Sequence, residues 1–169
     1  IKRLWRAEHP KTEQFWYDME AAAKAAIDNP GETFWAGARV RADGKKAISF
    51  TRTVNKKGQA GTWLKMELPS GRILSYPAVD IAMVKEGDDP DEKPRPQIKY
   101  KGEAQGSGRW VTLRSYGGKL SENATQALCR DVLAYALLQV KKAGWQIVMH
   151  VHDESVTKMP DKPKYNQTA

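Results

Sequence analysis

The sequence predicts an α+β protein in which antiparallel β-hairpins pack with two long α-helices. Three observations carry that expectation. Apolar residues recur at three-and-four spacing in two separated stretches, one near each end of the chain. Between them lie short runs that alternate or are rich in β-branched and aromatic residues. Turn signals made of Gly, Pro and Asp, rather than further helices, divide those runs, so neighbouring strands are expected to pair antiparallel.

Residues 1–9, IKRLWRAEH, read as the end of a helix. Pro10 suits a fresh helix start, where its missing N–H does no harm. In the run that follows, Phe15, Met19, Ala22, Ala23, Ala26 and Ile27 share a face, and Asn29-Pro30-Gly31 stops the helix. Phe34–Arg41 and Ala47–Val54 flank Ala42-Asp43-Gly44-Lys45, a hairpin signal. Trp63–Leu68 alternates, Pro69-Ser70-Gly71 turns, and Arg72–Tyr76 returns. Gln97–Tyr100 and Arg109–Leu113 are expected to pair as two more strands. The acidic, proline-rich stretch 86–96 before them reads as a surface loop.

Gly117-Gly118 then breaks the chain ahead of a helix from Leu120 to Lys142. Ser121 is the expected N-cap, with Glu122 in the first turn where the helix dipole favours it. Leu128, Cys129, Val132, Leu133, Ala136, Leu137 and Val140 form its expected apolar stripe, and Ala143-Gly144 closes it. A strand, 145–151, and its return, Ser155–Met159, finish the ordered part, and the tail 161–169 is expected to fray. The whole of 1–169 reads as one region.

The chain has 169 residues, 40% of them hydrophobic, which suits one domain or a large piece of one. No apolar run approaches the ~18–20 residues of a membrane span. The chain starts at Ile1 without a charged-then-apolar leader, and is expected to be an excised or truncated piece. A single cysteine, Cys129, rules out an internal disulfide or a multi-cysteine metal site, and fits a cytoplasmic location. The net charge of +8 favours a polyanionic partner, nucleic acid above all, although solubility alone would also account for it. Glu86, Asp88, Asp89, Asp91 and Glu92 crowd one segment, leaving the remainder more basic still.

Two features point to chemistry. On the second long helix, Asn123, Gln126 and Arg130 fall within roughly 60° of one another at helical spacing. Such a polar ridge can meet base edges and phosphates, or can be an ordinary solvated face. The second feature is WQIVMHVHDESV, residues 145–156. Strand alternation places Trp145, Ile147, Met149 and Val151 on an apolar face that Asp153 continues, with His150 and His152 on the other face. A turn near 153–154 would set Asp153 and Glu154 at a wet hairpin tip. Three readings stand: a His-x-His zinc pair, a plain polar turn, or a carboxylate site for Mg²⁺ in phosphoryl transfer with His152 on a phosphate.

Val151-His152-Asp153-Glu154 after an apolar strand resembles the third conserved motif of the family A (Pol I-type) DNA polymerases. Tyr116-Gly-Gly-Lys-Leu-Ser-Glu-Asn-Ala-Thr-Gln126-Ala-Leu-Cys-Arg130-Asp131-Val-Leu resembles the helix preceding it, as found in phage and prophage members. Leu68-Pro-Ser-Gly-Arg-Ile-Leu-Ser-Tyr76 resembles a hairpin of the same group, and Trp5-Arg6-x-x-His9-Pro10 with Phe15-Trp16 the segment after the fingers helix. The resemblance spans residues 5–157 in order and implies the C-terminal palm region, with a palm-type sheet. It implies a DNA-directed DNA polymerase acting on primer–template DNA and dNTP with two Mg²⁺ ions about 3.5–4 Å apart. It implies that Asp153 is a metal ligand, Glu154 a secondary carboxylate, His152 a neighbour of the primer-terminal phosphate, and Gln126 a minor-groove contact. Asn123 and Arg130 follow Gln126 as DNA contacts through their shared helix face.

Two motifs of the family are missing from these residues: the strand bearing the other catalytic Asp, and the helix that binds the nucleotide triphosphate. The isolated chain is therefore expected to be inactive. A non-catalytic nucleic-acid-binding module derived from a palm, and a basic protein-interaction domain, are the competing readings. A palm sheet short of a strand would also leave an open edge that invites self-association.

Overall fold

The computed structural model describes residues 2–40, 44, 46–85, 93–104 and 106–158. Of the expectations above, turn residues 42, 43 and 45, the acidic run 86–92 and the tail beyond 158 lie outside the described residues. The fold is α+β, and every sheet is antiparallel. The chain divides into two compact units, 1–125 and 126–169.

The first unit opens with α1 (Lys2–Glu8) and α2 (Pro10–Asp28), with Pro10 at the first position of α2 as its chemistry predicts. Met19, Ala22, Ala23, Ala26 and Ile27 of α2 are all buried, the face that the spacing marked. Asn29 ends the helix by returning both its backbone N–H and its side-chain amide to the Ala25 carbonyl. Arg52 reaches the Ile27 carbonyl from the neighbouring sheet, at 2.9 Å, and so satisfies another group of the last turn.

α2 packs across a four-stranded meander, β1 (Thr33–Val40), β2 (Lys46–Val54), β3 (Ala60–Glu67) and β4 (Ile73–Pro77), in sequential order. Alternation in β3 reads out as burial: Leu64 and Met66, with Leu68 just beyond, are fully buried, while Trp63 and Lys65 face out. Ala36, Ile48 and Phe50 complete the layer beneath α2. The β1–β2 register shifts between Ala36 and Val40, where Gly37 has φ +77° and a Cβ would stand 3.0 Å from the Phe15 ring. Glycine alone suits that bulge.

A second meander, β5 (Asp80–Val84), β6 (Arg95–Glu103) and β7 (Trp110–Ser115), follows in sequential order. β6 and β7 pair as expected, but both are longer than the sequence suggested, and β5 was not anticipated. The strand β6 also begins at Arg95, inside the stretch read as loop. Pro96 is tolerated there because β7 pairs with β6 only from Ile98 onward, which leaves that side of Pro96 without a ladder.

The long helix α3 runs Gly117–Lys142, three residues earlier than expected. Ser121 is consequently no N-cap. It is buried within the helix, and its hydroxyl donates to the Gly117 carbonyl at 2.8 Å. Glu122 lies beyond the first turn and pairs with Lys119. The N-terminal N–H of Gly117 instead meets a carboxylate from α2, Glu20, at 3.0 Å. A Cβ at Gly117 would lie 1.8 Å from the Trp16 carbonyl oxygen, so the approach of α3 to α2 requires glycine. The buried face of this part is Leu120, Ser121 and Ala124.

In the second unit, α3 continues, and β8 (Gln146–Val151) pairs with β9 (Glu154–Lys158) as a two-stranded hairpin. The expected stripe is only partly realised. Leu128, Leu133, Leu137 and Val140 are half-buried, whereas Cys129, Val132 and Ala136 are exposed.

Candidate functional site

The candidate tip is built by the β8–β9 hairpin. Val151 pairs with Glu154, so the loop is the two residues His152 and Asp153. This corrects the expected turn at 153–154: Glu154 is the first residue of β9, and His152 occupies the turn. A two-residue hairpin loop needs positive φ at one or both positions, and here His152 supplies it with φ +51°. Glycine is the usual residue at such a position, so the histidine is held in a costly backbone conformation. His152, Asp153 and Glu154 are all exposed.

The expected alternation does not survive along β8. A register shift between Ile147 and Met149 inserts one extra residue opposite Thr157 and Val156. Across such a bulge, side chains two apart in sequence no longer share a face. Trp145 and Ile147 are half-buried, while Met149 and Val151 are exposed, so the apolar face does not form a buried layer up to the tip. His150 remains in the strand opposite Ser155, but His152 has left strand geometry, and the His-x-His face-sharing behind the zinc reading is lost. Among the described residues, no three His, Cys, Asp or Glu side chains gather in a metal-holding group.

Asp153 and Glu154 nonetheless offer the donor type that Mg²⁺ takes. That ion keeps several waters and binds one or two protein carboxylates together with phosphate oxygens. Two exposed, adjacent carboxylates fit part of that set, and histidine beside them at the turn offers a donor to phosphate.

The ridge residues are placed unequally. Asn123, in the first unit, is half-buried, and its amide donates to the Tyr76 hydroxyl at 3.2 Å. That hydroxyl belongs to a buried ring standing edge-on to Tyr100 of β6, with centroids 5.1 Å apart. Asn123 thus ties the start of α3 to β4 and β6, a role that helical spacing alone could not reveal. Burial pushes the Tyr76 hydroxyl up to about 12, with the Asn123 hydrogen bond acting in the opposite direction. Gln126 and Arg130, in the second unit, are exposed on α3.

Compared with known proteins, the chain is 35% identical over 161 residues to a DNA polymerase of Bacillus phage SP02. The match takes in 95% of this chain and 21% of that relative, so the chain spans about a fifth of its length. No protein-family model matches the chain. No solved structure matches it either. Identity at this level across nearly the whole chain makes it homologous to a segment of a phage DNA polymerase.

Proposed function

We propose that the chain is the C-terminal palm region of a family A (Pol I-type) DNA polymerase, working in the cytoplasm on primer–template DNA and dNTP. The observation that carries this reading is the 35% identity to the phage polymerase across 95% of the chain. Asp153 and Glu154 would hold Mg²⁺, with Asp153 as the principal ligand. When bound, a pair of such ions lowers the pKa of the primer 3′-hydroxyl and offsets charge on the leaving pyrophosphate. His152 donates to the primer-terminal phosphate from the same turn, fixing that strand end against the carboxylates. Gln126 and Arg130 contact the primer–template, Gln126 through the minor groove, where purine N3 and pyrimidine O2 acceptors are present at every step. Asn123 anchors the start of α3 to β4.

The second catalytic carboxylate and the nucleotide-binding helix are not among these residues. Pure chain is therefore expected to bind primer–template DNA with an affinity that falls steeply with salt. It is also expected to add no nucleotides in Mg²⁺ or Mn²⁺. A gel-shift titration at two salt concentrations and a primer-extension assay check both. Templated synthesis by the pure chain overturns the half-site reading, and salt-independent or absent DNA binding overturns the polymerase reading.

A further inference from the structure

We propose that an aromatic groove on the first unit is a stacking platform for single-stranded DNA, built apart from the carboxylate turn. The proposal rests on the reading above only in taking DNA as the partner. Trp5 and Trp16 stack at 5.6 Å with planes 12° apart. They line a groove of about 520 Å³ that ends at Tyr116, Gly117 and Gly118. A second groove of about 540 Å³ shares Tyr17, Glu20 and Tyr116 with the first and runs on to Lys24, Arg95 and Gln97. Each has the size of a small-molecule cleft. The two tyrosines common to both are 58% and 61% exposed, so two large rings face solvent where the grooves meet.

The walls are fixed rather than loose. Glu20 binds the Gly117 N–H, Gly117 abuts the Trp16 carbonyl, and the Tyr116 ring lies close over Gly118. Such anchoring presents aromatic faces at little ordering cost.

Exposed rings, with a small excess of positive charge, point to the occupant. Arg6, Lys24 and Arg95 line the grooves against two carboxylates, Glu13 and Glu20. Glu13 already binds Arg6 and accepts from the Tyr17 hydroxyl, and Glu20 already binds Lys24 and the Gly117 N–H. Those bonds set Arg6 and Lys24 against the two acids, so the linings carry one cation in excess, Arg95, in a chain of net charge +8. Exposed rings beside cations in a basic protein suit unpaired bases, whose faces stack on any aromatic ring irrespective of sequence. A duplex hides those faces, which makes the single strand the matching form.

The test uses the full chain and a fluorescent oligothymidylate. The double variant Tyr17→Ala/Tyr116→Ala is expected to bind it at least about fivefold more weakly, the scale of one lost base stack. The Tyr17→Phe/Tyr116→Phe variant, which keeps the rings but not the hydroxyls, is expected to bind like the parent. Photo-cross-linking of a 5-iodouracil oligonucleotide to the unmodified chain is expected to map to residues 5–24, 95–97 or 116–118. Cross-links elsewhere only, an unaffected Ala variant, or a Phe variant as weak as the Ala one would overturn the proposal. So would displacement of the oligonucleotide by a proline-rich peptide with the groove as its site. Binding of primer–template but not the oligonucleotide sinks this platform and leaves the polymerase reading standing. Binding of the oligonucleotide but not primer–template does the reverse.

Discussion

Tyr76 shows how one side chain can set a pH limit on the fold. Its hydroxyl is buried, its ordinary value of 10.0 is raised to about 12, and desolvation is the main cause. Because the folded value lies above the unfolded one, the neutral hydroxyl favours the fold fully below pH 10. That contribution is lost as pH rises from 10 towards 12, and amounts to roughly 2–3 kcal/mol. Alkaline unfolding followed by circular dichroism is expected to be shallower for Tyr76→Phe across that window. Equal losses in parent and variant would contradict the assignment. Asn123, the partner of Tyr76, illustrates what the sequence withheld. Helical spacing fixed its angle on α3, but not the fact that β4 brings a hydroxyl to meet it.

At the scale of elements, legibility followed local physics. The α2 face and the β3 alternation were readable because their periods directly decide burial. β5 was missed because Asp80-Ile-Ala-Met-Val has neither clear alternation nor a turn signal of its own, and its strand character comes from pairing with β6. The start of α3 was misplaced because Gly-Gly usually breaks helices, whereas here Gly117 allows close contact with α2. In β8 the bulge has no signature in the residue pattern, and it removes the alternation that would carry one apolar face to the tip. What remained correct is that a turn exposes Asp153. The same turn yields a prediction, since His152 sits at φ +51°. His152→Gly is expected to stabilise the hairpin by about 1 kcal/mol, read as slower hydrogen exchange of the β8 and β9 amides. Faster or unchanged exchange would mean that the backbone there is not strained.

Across the whole molecule, the two units differ in how they treat apolar surface. The first buries a continuous core of α2, the four-stranded sheet and the start of α3. The second leaves Val132, Tyr135 and Leu138 of α3, and Val148, Met149 and Val156 of the hairpin, substantially exposed. The chain corresponds to about a fifth of the phage relative, and the proposed catalytic centre needs a carboxylate from outside these residues. The most direct measurement is therefore single-turnover nucleotide addition by the intact polymerase containing this region, with Asp153→Asn against the parent. Addition is expected to fall by orders of magnitude while the affinity for primer–template stays within about twofold, as for loss of a metal ligand used only in the chemical step. An unchanged rate of addition would contradict the assignment of Asp153 to the catalytic metal.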